Sequence, residues 1–160
     1  QVHLRGLSHL IHHLHLALSK SEPEFCNTIA PMPFELWAKE TRSGQVMPDW
    51  YEWRCENWGT KWDIGCEAQN GAYGLEPTRS GNELSVSFDS AWSPPIGFYE
   101  RLVVLGFKVD ASYFEPGMCF CGSWKNGTDN FYEGQWTEFP QKLIDLYDIA
   151  EYNKELEEEV

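Results

Sequence analysis

Two helical stripes, each set between segments of strand-like alternation, constrain this chain more than any other feature. Leu7, Leu10, Ile11, Leu14 and Leu18 fall on one face of a helix, and Val2 and Leu4 alternate with polar residues just before it. Gly6 separates that strand from the helix. The second stripe is Ile96, Tyr99, Leu102 and Val103. It opens after Ser93-Pro94-Pro95, where serine can cap and proline suits a first turn, and Gly106 ends it. Between the stripes, Leu84, Val86 and Phe88 alternate as a strand, and residues 65–72 form a weaker candidate. The TRSGNE stretch at 78–83 reads as the turn that joins these two into a hairpin.

After the second stripe, Phe107, Val109, Ala111 and Tyr113 alternate, and Glu115-Pro116-Gly117 turns the chain. Met118, Phe120, Gly122 and Trp124 make the next strand, and Asn126-Gly127 is the strongest hairpin signal in the sequence. Residues 130–135 return as its partner, and Pro140 opens a terminal helix with Leu143, Ile144 and Tyr147 on one face. The core of this order is β-α-β-β-α-β. The expectation is an α+β, ferredoxin-like sandwich: a split β-α-β whose antiparallel sheet carries helices on one face. A single domain over 1–160 would then hold an inserted, proline-broken, Trp-rich segment at 20–64. It would also carry an extra strand and an acidic C-terminal helix at 137–160.

The 160 residues are 42% hydrophobic and 23% charged, enough for one sizeable core. Twelve Lys and Arg stand against 25 Asp and Glu, a net −13, so a nucleic-acid backbone or an anionic membrane surface is a poor partner. No apolar run approaches the roughly 18 residues of a membrane helix. Cys26, Cys55, Cys66, Cys119 and Cys121 are odd in number and form no CxxC, and no secretory signal is visible. Reduced thiols and a cytoplasmic setting are expected. The chain opens on Gln1 within a strand-like segment, which suggests that residues precede it.

Four constellations carry chemistry in principle. His9 and His13 have metal-compatible spacing, yet nothing nearby supplies a third ligand, and His9, His12 and His13 point away from the leucine stripe. Cys119 and Cys121 would share one face of a strand, which core packing also demands. The stretch 50–63, WYEWRCENWGTKWD, interleaves four tryptophans with charges. It suits a ligand cleft or, more plainly, an aromatic lid over a sheet. In FDSAWSPP (88–95), Asp89 could act as a base or pair with Arg54 or Lys61, while Trp92 and two prolines make a rigid corner. No motif of useful catalytic specificity is present.

CNTIAPMP (26–33), WRCENWGTKWD (53–63), FDSAWSPP (88–95) and YFEPGMCFCGSW (113–124) together resemble the YubB-like proteins of bacterial plasmids and phages. The resemblance runs from about residue 20 to 136. It implies a ferredoxin-like fold and a mobile-element context, and it transfers no catalytic residue. The Met-Pro-Asn-Trp strand that usually opens the family pattern is missing here, and the His-rich helix and the Cys119/Cys121 pair lie outside it.

The leading functional expectation is a non-catalytic module that engages a host protein through a Trp-rich, acidic surface, including the option of imitating DNA. Its candidate residues are Trp53, Trp58, Lys61, Trp62, Asp63, Asp89 and Trp92. The alternative is a small-molecule binder or enzyme in which Trp58, Trp62 and Trp92 line a cleft with Asp63 or Asp89 acting inside. An RNA-binding sheet comes last, because the basic-aromatic strings it needs are absent and the charge opposes it. No metal and no cofactor is assigned.

Overall fold

The computed structural model describes residues 1–20, 23–36, 49–65, 75 and 77–158. The chain is α+β and divides into two compact units, Gln1–Val109 and Asp110–Val160.

In the first unit, β1 (Val2–Arg5) leads into α1 (Ser8–Leu18), and the hairpin β2 (Thr78–Ser80) and β3 (Glu83–Val86) follows later in the chain. β3 pairs antiparallel with both β1 and β2, with Val2 opposite Val86 and Leu4 opposite Leu84. β1 and β2, consecutive strands in the chain, are thus separated in the sheet by β3. Val2, Leu4, Leu84 and Val86 are buried, as their alternation requires, and from α1 they share the core with Ile11, Leu14 and Leu18. Leu7 departs from its stripe. Its backbone is extended (ψ 136°) because the helix starts only at Ser8, and the side chain is 64% exposed.

The hairpin differs from its reading in sequence. Only Gly81 and Asn82 form the turn, and Thr78–Ser80 is itself the strand. All three residues of β2 are exposed, so no apolar alternation marks them. The strand candidate at 65–72 lies, beyond Gly65, outside the described residues, and Phe88 falls past the end of β3. Between α1 and this hairpin the chain forms α2 (Phe25–Ile29) and α3 (Asp49–Asn57), and α4 (Ile96–Val104) follows the hairpin. α4 buries Phe98, Tyr99 and Leu102, with Phe98 meeting Phe25 edge-on at 4.6 Å. Ile96 and Val103, expected inside, are only half-buried.

β4 (Lys108–Glu115) closes the first unit and opens the second. There it forms an antiparallel meander with β5 (Phe120–Lys125) and β6 (Thr128–Glu133). The Asn126-Gly127 turn is as expected, with both residues at positive φ (45° and 100°). β5 starts at Phe120 rather than Met118, because Cys119 is in a left-handed conformation (φ 51°). Cys119 therefore does not share a strand with Cys121.

Beyond a 3₁₀ turn at Trp136–Glu138, the expected terminal helix is two helices, α5 (Gln141–Leu146) and α6 (Ile149–Glu158). Asp148, at φ 50°, breaks them. Phe139, Leu143, Ile144 and Ile149 pack with Cys121 of β5 into this unit's core. Burial pushes the Cys121 thiol up to about 11, with Cys119 adding to it.

Candidate functional site

The Trp-rich segment folds into a stack of rings and cations. On α3, Trp50 and Arg54 sit one turn apart and both are buried. The Arg54 guanidinium lies 4.7 Å from the Trp50 ring centre and 5.2 Å from that of Trp58, between the two indoles. Trp62 stacks on Trp50 at 6.0 Å, and Lys61 Nζ sits 4.5 Å from the centre of the Trp62 ring. Trp53 meets Trp58 edge-on at 5.6 Å. Each cation–ring contact contributes about 0.5–2 kcal/mol, the larger value where water is excluded. Trp58 has no exposed surface, and its indole N–H donates to the Ala30 carbonyl at 2.8 Å. The stack brings together Trp53, Trp58, Lys61 and Trp62 of the sequence candidates, and its centre is filled with side chains.

Asp63 is buried and acts as a distant helix cap. α2 enters from Glu24, whose left-handed backbone (φ 39°) and side chain provide no cap. Instead the Asp63 carboxylate accepts the N–H groups of Cys26 (2.7 Å) and Asn27 (2.9 Å), and the Ile64 carbonyl accepts that of Phe25. Asp63 also accepts the Ile64 N–H at 2.7 Å. The free donors of the first turn of α2 are thereby satisfied from a segment 37 residues downstream in the chain. Burial pushes the Asp63 carboxyl up to about 6, against the pull of these three N–H donors toward the charged form.

The other two candidates lie on the corner between β3 and α4. Asp89 is exposed, and Trp92 is 77% exposed at φ 73°. A bulky L-residue in that region costs about 1–2 kcal/mol. The corner is held rigidly all the same. The Ser90 hydroxyl donates to Ser93 O (2.8 Å), and the Ser93 hydroxyl donates to Gly59 O (2.7 Å). Thr60 exchanges two bonds with Ala91, its hydroxyl donating to the carbonyl and accepting the N–H.

Two glycines let the backbones of this region meet. A Cβ on Gly97 would lie 2.7 Å from Asn57 O, and one on Gly59 would lie 2.8 Å from Ile96 N. The end of α3 therefore abuts the start of α4 and fixes the strained corner beside it. Their approach is long-range, and no local signal marks it.

A hollow of about 460 Å³ runs along α3, lined by Tyr51, Glu52, Cys55 and Glu56. None of the sequence candidates lines it. Among the described residues no group of three His, Cys, Asp or Glu side chains could hold a metal ion. Nor is any helix among them long and apolar enough to cross a membrane. Comparisons with protein-family models, curated proteins and solved structures find no match.

Proposed function

We propose that this chain is a non-catalytic protein-binding module that presents Trp92 as its anchor, with Asp89 on the same corner. One observation carries the reading: a largely exposed tryptophan is held in a left-handed backbone by a framework of side-chain hydrogen bonds. Neither the exposure nor the strain benefits the fold, since a glycine would adopt the same backbone without strain. Tryptophan is also among the side chains enriched at the energetic centres of protein interfaces, where a rigid aromatic anchor fills a partner's pocket. The stack beneath contributes Lys61 and Trp62, which follow Thr60 directly in the chain.

The separation of β1 and β2 by β3, with α1 as the first helix of the connection, supports the finer proposal of a ferredoxin-like, YubB-like domain. The host-protein partner and the bacterial cytoplasm belong to that same proposal. The small-molecule reading is weaker, because the centre of the aromatic stack is filled. The net charge continues to oppose RNA.

A photo-crosslinking amino acid in place of Trp92, with Leu7 as an exposed control position, tests the reading in host lysate. The expected result is one crosslinked protein specific to position 92, competed away by unlabelled wild type and not by Trp92→Gly. Equal competition by Trp92→Gly, or no product specific to position 92, would refute it.

A further inference from the structure

β6 ends the strand order of the meander, and no strand pairs with its outer edge among the described residues. All six of its residues are exposed. The direction of its backbone groups follows from the hairpin. A two-residue loop makes Lys125 and Thr128 the narrow, doubly bonded pair, and the alternation of an antiparallel ladder then turns Thr128, Asn130 and Tyr132 toward β5. The Gly134 N–H donating to Cys119 O at 3.1 Å continues that even-numbered series. Asp129, Phe131 and Glu133 therefore direct their N–H and C=O groups outward. Of the usual devices that protect an edge, proline, lysine and bulges are missing from the strand itself, and charge is present as Asp129 and Glu133.

The stretch of sequence that carries this edge is acidic. Residues 110–160 carry 3 Lys and 12 Asp or Glu, a net −9, whereas residues 1–109 carry 9 Lys or Arg and 13 Asp or Glu. On the edge itself, Asp129 and Glu133 flank Phe131, which is 51% exposed and packs on Phe120 at 5.3 Å. A second copy of β6 would set these carboxylates against their own kind across the new ladder, which is unfavourable.

We infer that the outer edge of β6 accepts an extended cationic peptide by strand addition, with basic side chains toward Asp129 and Glu133 and an apolar one over Phe131. The main-chain bonds would come from Asp129, Phe131 and Glu133, and the charge would select the partner. This surface is separate from the Trp92 corner and does not depend on it.

The test is amide hydrogen exchange by NMR on the full chain, with a capped peptide alternating lysine and valine and of the same length as β6. Saturating peptide should slow exchange at Asp129, Phe131 and Glu133 by about tenfold or more and leave Thr128, Asn130 and Tyr132, already paired, unchanged. A peptide N-methylated at alternate residues should give no protection. Phe131→Pro, which removes an outward N–H that β5 does not use, should abolish binding while the fold persists. Binding without the alternating protection, equal protection by the N-methylated peptide, or the same pattern appearing with protein concentration alone would each overturn the inference. The last outcome would assign the edge to a second copy. The wild-type exchange pattern decides the matter even if the proline variant unfolds.

Discussion

Tyr113 passes over Gly122 and donates its hydroxyl to Asp129 at 2.7 Å, so one side chain from β4 crosses β5 and ties down β6. Burial and the neighbouring carboxylate hold the Tyr113 phenol well above its ordinary range, which keeps it a donor at every physiological pH. The arrangement depends on Gly122 having no side chain, because a Cβ there would meet the Tyr113 hydroxyl and lie 2.6 Å from Asn130 O. Gly122→Ala should therefore destabilise the chain by about 1–3 kcal/mol. Tyr113→Phe in that background should recover little of the loss, since the ring carbon Cζ and the Asn130 carbonyl would both still clash with the new Cβ. Urea midpoints at constant slope measure both.

The Asp63 cap makes stability depend on pH in a definite direction. Burial raises the folded carboxyl from 3.8 to about 6, so the folded state holds the proton more tightly than the unfolded chain. The contribution of this group is complete below about pH 4 and is lost as pH rises through about 6, an effect on the order of 3 kcal/mol. Denaturation of wild type between about pH 4 and pH 7 should show that slope, and Asp63→Asn should remove it. A carboxyl carbon titration with its midpoint below about 4 would mean that the three N–H donors outweigh burial.

Trp58 supports the fold rather than a ligand. Trp58→Ala should cost about 3–5 kcal/mol through the cavity it leaves. Trp58→Phe should cost about 1–3 kcal/mol, because the Ala30 carbonyl loses its donor. The half-buried Trp53, which touches Trp58 only edge-on, should tolerate alanine with a clearly smaller loss in the same thermal or urea unfolding measurement.

Thiol chemistry should follow exposure. Cys55 is exposed, Cys119 is intermediate, and Cys26 and Cys121 are buried. Mass-spectrometric mapping of iodoacetamide labelling at neutral pH should find Cys55 modified before Cys119. Cys26 and Cys121 should stay unmodified until the chain unfolds, Cys121 doubly so because its thiol lies at about 11.

What could be read in the sequence was what is local and one-sided. The Asn126-Gly127 turn is legible because two adjacent residues suit positive φ. Leu4, Leu84 and Val86 are legible because one face of each strand is buried. Thr78–Ser80 is hidden, since a strand exposed throughout carries no alternation. At the site, the grouping of Trp53, Trp58, Lys61 and Trp62 followed from their closeness in the chain. The pairing of Asp63 with Cys26 and Asn27 did not, because they lie 37 and 36 residues away. The positive φ of Trp92 was equally unreadable, because nothing about tryptophan favours that region and the long-range bonds of its neighbours Ser93 and Ala91 to Gly59 and Thr60 help hold it there.

The most direct test of the account is the equilibrium stability of Trp92→Gly against wild type. If Trp92 is kept for a partner, relief of its backbone strain should raise stability by about 1 kcal/mol, net of glycine's greater freedom in the unfolded chain. A loss of about 1 kcal/mol or more would contradict the account, because it would make the exposed ring part of what holds the fold together.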